Sequence, residues 1–188
     1  TVEIHDPYTA GHQNRVAKLS CAIARRMGFE NGALGKVKMA GLIHDIGKIF
    51  VPSQLLSKPT KLLDVEMNLI RYHTTAGYEI LRNVDMPWPI AEVVLQHHER
   101  ISGNGYPKGL QEDQILLESQ IIAVADVYEA MISHRPYRPA LGMQAAIEEL
   151  SRNRGLLYNP AAVDVCLDLL LNEEFDFNGD GNGEKQKG

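Results

Sequence analysis

The chain has 188 residues, 44% hydrophobic and 23% charged, the balance of one soluble globular domain with a single core. Its formal net charge of −5 excludes a surface that attracts DNA or anionic membrane by charge alone. No apolar run reaches the roughly 18 residues of a membrane span, and no signal-peptide pattern opens the chain.

Cys21 and Cys166 are too few and too far apart for a disulfide framework or a zinc knuckle, so a reducing cytoplasm is the expected setting. The chain opens at Thr1 inside a polar stretch without an initiator Met, which suggests an excised or processed piece.

Residues 9–27 are predicted to form a helix, with Val16, Leu19, Ile23 and Met27 at helical spacing and Gly28 at its end. His12 lies one turn before Val16 on the same stripe. A second helix is expected over 32–46, where Val37, Ala40 and His44 share a face, with Gly47 breaking it and Pro52 starting the next element. Residues 64–84 read as one or two helices, on which Leu69, His73, Ala76 and Ile80 align. Pro87 and Pro89 begin another helix, carrying Ile90, Val94 and His97 on one face and His98 beside it.

The segment 99–113 holds Gly103, Gly105, Pro107 and Gly109 and reads as loop. Residues 114–132 form the most apolar helix, with Asp126 inside the run IIAVADVY. A second irregular loop covers 133–142, and amphipathic helices over 142–153 and 160–172 complete an all-α domain at 1–172. No strand alternation or internal repeat is evident.

The tail from 173 is rich in Gly, Asn, Asp and Lys and is expected to be disordered. Its Asp176, Asn178 and Asp180 occupy the first three positions of an EF-hand loop. Lys187 stands at position twelve, however, and no helix follows, which argues against a calcium site.

Five stretches thus place His, or His beside an acid, on apolar helix faces: His12, His44-Asp45, His73, His97-His98 and Asp126. Singly, each reads as a satisfied core residue, a chance dipeptide or a solvated helix end. Together they would bury seven polar groups, at a cost of several kcal/mol each unless something neutralises them. A polynuclear metal site is the economical solution. His12, His44 and Asp126 would serve one ion and His73, His97 and His98 a second, with the Asp45 carboxylate bridging. Mixed imidazole and carboxylate ligation suits iron, manganese, nickel or zinc.

HDIGK at 44–48, HHERISGNGYP at 97–107, ADVYEAM at 125–131 and RPYR at 135–138 resemble the HD-GYP family, a branch of the HD phosphohydrolases. DPYTAGHQNRVA at 6–17 and HTTAG at 73–77 fit the same pattern. The resemblance runs from about residue 5 to 172 and implies a compact helical bundle with irregular loops over a core metal site. It implies hydrolysis of cyclic di-GMP to pGpG, and further to GMP, by attack of a metal-bridging hydroxide on phosphorus.

By the same resemblance, His12, His44, Asp45, His73, His97, His98 and Asp126 match the metal ligands, with iron or manganese favoured. Lys48 matches a lysine at the edge of the site, placed to donate to the phosphate or the leaving oxygen. Tyr106, Arg135, Arg138 and Glu129 match positions near the phosphates or bases. Tyr8 stands where three-metal members carry a Glu, which implies two divalent ions here. Glu129 replaces the more frequent Asp, which implies an altered hold on the base. An upstream sensory or receiver domain and a homodimer are expected partners. Alternative readings are a cyclic GMP-AMP phosphodiesterase, a di-iron oxygenase, or a non-catalytic sensor of cyclic dinucleotide.

Overall fold

A computed structural model describes residues 11–86, 88–134, 138–172 and 174–177. Tyr8, Arg135, Asn178, Asp180 and Lys187 lie outside them. Among the described residues the chain is helical, and its strand-like pairings are isolated bridges at Ser102–Gln111 and Arg154–Tyr158. The helices are α1 (His12–Arg26), α2 (Asn31–Ile43), α3 (Ser53–Leu56), α4 (Asp64–Arg71), α5 (His73–Leu81), α6 (Ile90–Gln96), α7 (Leu117–Ile132), α8 (Met143–Arg152) and α9 (Pro160–Leu171). Short 3₁₀ turns occupy Ile46–Phe50 and Glu112–Gln114. None of these helices is long and apolar enough to cross a membrane.

Helix α1 shows how the pattern becomes structure. Val16, Leu19 and Ile23 are fully buried, as their spacing predicts. At its end the N–H of Phe29 bonds the Ala24 carbonyl and that of Gly28 bonds Arg25, with Gly28 at φ +87°. This is a Schellman ending, which satisfies the last carbonyls of the helix. α1 lies against α2 and α7, and the core continues through Val37, Ile121, Ile122, Tyr128, Leu150 and Val163. A smaller cluster of Leu81, Ile90, Ala91 and Val94 holds α5 to α6. The candidate site sits where the ends of α1, α2, α5 and α6 meet the flank of α7.

Two features depart from the sequence expectation. The helix predicted over 32–46 ends at Ile43, and Gly47 sits in the following 3₁₀ turn. Gly47 serves close approach: a Cβ there would overlap the His73 carbonyl and come within 2.5 Å of the Gly77 nitrogen. Residues 64–84, expected as one or two helices, form two that meet at Tyr72, which ends α4 and begins α5.

The second departure is residues 174–177, expected to belong to a disordered tail. Phe175 and Phe177 pack against the core, and the Phe177 ring stacks on Tyr128 at 6.2 Å between centroids. Lys18 Nζ donates to the Phe177 carbonyl at 3.1 Å, and Arg26 Nη1 to Glu174 at 2.6 Å. Two aromatic rings bring apolar area that the polar composition of the tail conceals.

Candidate metal centre

The seven expected ligands converge, and most do so from helix ends. His12 opens α1 and His73 opens α5. His44 caps the end of α2 and His97 that of α6, with Asp45 and His98 next in the chain. Asp126 projects from within α7. His12, His44, Asp45, His73 and His97 are buried to 2% exposure or less, and Asp126 to 8%. His98 is half-buried.

Their donor atoms form three overlapping groups: His12, His44 and Asp126; His44, Asp45 and His97; and His73, His97 and His98. Within each group the atoms lie within 4.8 Å of one another. Asp45 occupies the middle. Its Oδ2 is 3.7 Å from His12 Nε2 and 3.5 Å from His44 Nε2, while its Oδ1 is 3.4 Å from His73 Nε2. Asp126 Oδ1 is 3.2 Å from His12 Nε2.

The outer nitrogens set the chemistry of the inner ones. Nδ1 of His44, His73 and His97 donates to the carbonyl three residues earlier, at Gly41 (2.8 Å), Ile70 (2.6 Å) and Val94 (2.6 Å). A carbonyl only accepts, so the proton sits on Nδ1 and the Nε2 lone pair faces the cluster. His44 Nε2 is buried without a hydrogen-bond partner. A buried bare acceptor beside ionised carboxylates is costly when nothing fills the space, and a cation accounts for it. The donor set therefore fits divalent metal.

The electrostatics agree. Burial, then the neighbouring imidazoles, hold His97 and His98 well below the usual histidine range, and burial lowers His73. These rings stay neutral, which is the ligating form. Burial opposes ionisation of Asp45, but Lys48 and then His44, His73 and His12 overcome it and hold the carboxyl well below its ordinary range. Asp126 is likewise held down against burial, chiefly by its hydrogen bond to His12. His12 moves the other way: burial disfavours its charge, yet Asp126 and Glu129 raise it to about 9. A field that retains a proton there also attracts a divalent cation, which displaces that proton on binding.

Glu129 requires a correction. Expected to hold a substrate base, it is fully buried behind His12, where its Oε2 accepts from His12 Nδ1. Its Oε1 accepts from Arg15 Nε at 2.8 Å and Ser133 Oγ at 2.7 Å. Its carboxylate is thus an outer support of a ligand. Glu129→Gln should weaken divalent-metal affinity roughly 10- to 100-fold, read by titration of the metal-depleted protein. An unchanged affinity would remove Glu129 from that role.

Lys48, expected to reach the phosphate, donates to Asp45 Oδ2 at 2.7 Å. Arg138 Nη2 donates to the Ala130 carbonyl at 2.8 Å, and its Nη1 is buried without a hydrogen-bond partner. Arg135 lies outside the described residues.

Tyr106 sits against the cluster: its ring stacks on His98, with centroids 4.8 Å apart and planes at 30°. Burial raises its hydroxyl pKa, so the phenol remains a protonated donor.

Sequence reasoning missed what holds that loop. Glu99 is 3% exposed and accepts from the backbone N–H groups of Lys108 (2.7 Å) and Leu110 (3.0 Å). A Cβ on Gly105 would come within 2.5 Å of Glu99 Cα, so the loop closes on glycine. The available signal was an acid directly after two inward histidines and before a Gly-rich run.

The HD domain family model matches residues 1–162. Among similar proteins is the cyclic di-GMP phosphodiesterase response regulator RpfG of Xanthomonas campestris pv. campestris. It is 39% identical over 168 residues, covering 88% of this chain and 44% of that protein. The 3'3'-cGAMP-specific phosphodiesterase 3 of Vibrio cholerae is 35% identical over 175 residues, covering 92% of this chain and 38% of that protein. This chain thus spans less than half the length of either relative. The solved structure of Bd1817, a HDG"Y"P protein from Bdellovibrio bacteriovorus, superposes with a TM-score of 0.71 at 20% identity. That superposition covers 85% of this chain and 51% of that one, and it speaks for the fold. With His44-Asp45 at the centre of a helical histidine cluster and a family match across most of its length, this chain belongs to the HD domain family.

Proposed function

We propose that residues 1–172 form a metal-dependent phosphodiesterase that hydrolyses cyclic di-GMP to pGpG and onward to GMP. The observation that carries this reading is the Asp45 carboxylate, whose two oxygens face different sets of inward imidazole nitrogens. His12, His44, Asp45 and Asp126 would hold one divalent ion; Asp45, His73, His97 and His98 would hold a second. Mixed imidazole and carboxylate ligation suits iron, manganese, nickel or zinc, and the resemblance to the HD-GYP family favours iron or manganese. Such ions supply charge neutralisation of the phosphodiester and a strong nucleophile at neutral pH.

The protein's own residues do the rest. The i−3 carbonyls hold three imidazoles in the ligating tautomer. Lys48 fixes Asp45 in its central position and keeps it ionised. Tyr106 offers a protonated hydroxyl beside the cluster, whereas Arg138 is held by the Ala130 carbonyl with its Nη1 buried. The base contacts decide between cyclic di-GMP and cyclic GMP-AMP. The Vibrio cholerae relative named for the latter supports cyclic GMP-AMP as the second substrate to test.

The test is anaerobic purification with elemental analysis, followed by incubation with both dinucleotides and chromatography of the products. Two ions per chain with formation of pGpG or GMP is the expected result. Metal-loaded protein that cleaves neither dinucleotide and consumes dioxygen would transfer the assignment to an oxygenase. Metal-free protein that binds the dinucleotide intact would make it a sensor.

A further inference from the structure

We propose that Arg71 binds the phosphodiester that is not being cleaved, using the Tyr106 ring as the surface that holds its guanidinium in place. The inference rests on the cyclic-dinucleotide reading above. Such a substrate carries two phosphodiesters, and the metal cluster can neutralise the one it cleaves. The other lies a short distance away, outside the cluster, and needs a cation of its own.

Most cations around the cluster are already committed. Lys48 is bonded to Asp45, and Arg15 to the buried Glu129. Arg100 donates to the Glu99 carbonyl, and its guanidinium lies over the Tyr158 ring. Arg138 is tied to the end of α7, where its second nitrogen is buried.

Arg71 shares with Arg100 a place over an aromatic ring but differs in its exposure and in the length of its polar contact. It is the last residue of α4, two positions before His73, and it is exposed. Its polar side-chain contact among the described residues is Asn68 Oδ1 at a long 3.4 Å, and no carboxylate lies within ion-pair distance. Its guanidinium carbon stands 5.3 Å from the centroid of Tyr106, the ring that stacks on His98. The chain from cluster to solvent is thus His98, Tyr106, Arg71.

Stacking on an aromatic ring uses the face of a guanidinium and leaves its edge N–H donors free. Those donors suit a bidentate bond to phosphate. The backbone steadies the arrangement, because the Arg71 carbonyl accepts from Thr74 Oγ1 at 3.1 Å and the loop under Tyr106 is pinned by Glu99.

The test compares metal-loaded wild type, Arg71→Ala and Arg71→Lys on cyclic di-GMP and on bis(p-nitrophenyl) phosphate, which has a single phosphodiester. Metal content is matched by elemental analysis. Arg71→Ala should raise KM for cyclic di-GMP about tenfold or more, as expected for loss of a charge-assisted contact, with a smaller change in kcat. The loss of kcat/KM on the one-phosphate ester should be several-fold smaller, and Arg71→Lys should recover part of the dinucleotide loss. Equal losses on both substrates would reduce Arg71 to a brace for Tyr106 and overturn the proposal, as would an unchanged KM. Wild type that cleaves the nitrophenyl ester but no cyclic dinucleotide would overturn the functional reading itself, and this inference with it.

Discussion

On the proposed two-ion phosphodiesterase reading, Asp45→Ala should bring metal content from two ions per chain to one or fewer and lower phosphodiester turnover on the order of a thousandfold. Removal of even a single donor at a developing charge typically costs roughly 10²–10³ in rate. Here the lost group also organises the centre: its two oxygens lie between 3.4 and 3.7 Å from three separate imidazoles, and Lys48 is bonded to it. Truncation would also remove the carboxylate to which Lys48 Nζ is bonded at 2.7 Å. Elemental analysis and steady-state kinetics read the result, and circular dichroism should show the helices retained. Asp45→Asn keeps the volume and one oxygen, so it should bind more metal than the alanine variant. Alanine protein that retains two ions and turns over within a few-fold of wild type would refute the bridging role.

Gly47→Ala should destabilise the fold by on the order of 3 kcal/mol, at the upper end of ordinary overpacking. The added methyl would overlap the His73 carbonyl and approach the backbone nitrogen of Gly77. Neither obstacle is the end of a flexible side chain, so relief requires α5 to move away from the 3₁₀ turn at Ile46–Phe50. For a domain of this size the melting temperature should fall by about 6–12 °C. Because His44 and Asp45 lie just before the turn and His73 opens α5, metal affinity should fall in parallel. Differential scanning calorimetry with and without added metal separates the two effects. A melting temperature within a degree or two of wild type would mean that the turn yields easily.

These two residues also show how far the sequence was legible. The clustered residues could be singled out because most lie on, or just past the end of, a helix with an apolar period, and a polar group continuing such a stripe is conspicuous. The same reasoning located α1, α7 and α9 to within a few residues. It missed what depends on approach between distant segments. Glu129 meets His12 across 117 positions and Arg15 across 114, and no local pattern encodes either contact. Gly47 looked like a helix breaker because glycine signals a break in any helical pattern, whereas its place is explained by the backbone of α5 alongside it. Arg71 carried no signal of its own, since the ring beside it, Tyr106, belongs to a loop that comes much later in the chain. The aromatic pair Phe175 and Phe177 was hidden by the polar average of its neighbours.

The supports behind the histidines have an evolutionary consequence. His44, His73 and His97 lean on main-chain oxygens three residues earlier, at Gly41, Ile70 and Val94. No point substitution can delete a carbonyl, so these three rings are insulated from drift in neighbouring side chains. His12 leans on a carboxylate from another helix, and that carboxylate is itself held by Arg15 and Ser133. Codon changes can reach every part of that arrangement. Selection can therefore retune the half of the centre around His12 and Asp126 while the half around His73 and His97 stays constant. Diversification of metal preference among descendants of this chain should accordingly be concentrated at positions 15, 129 and 133.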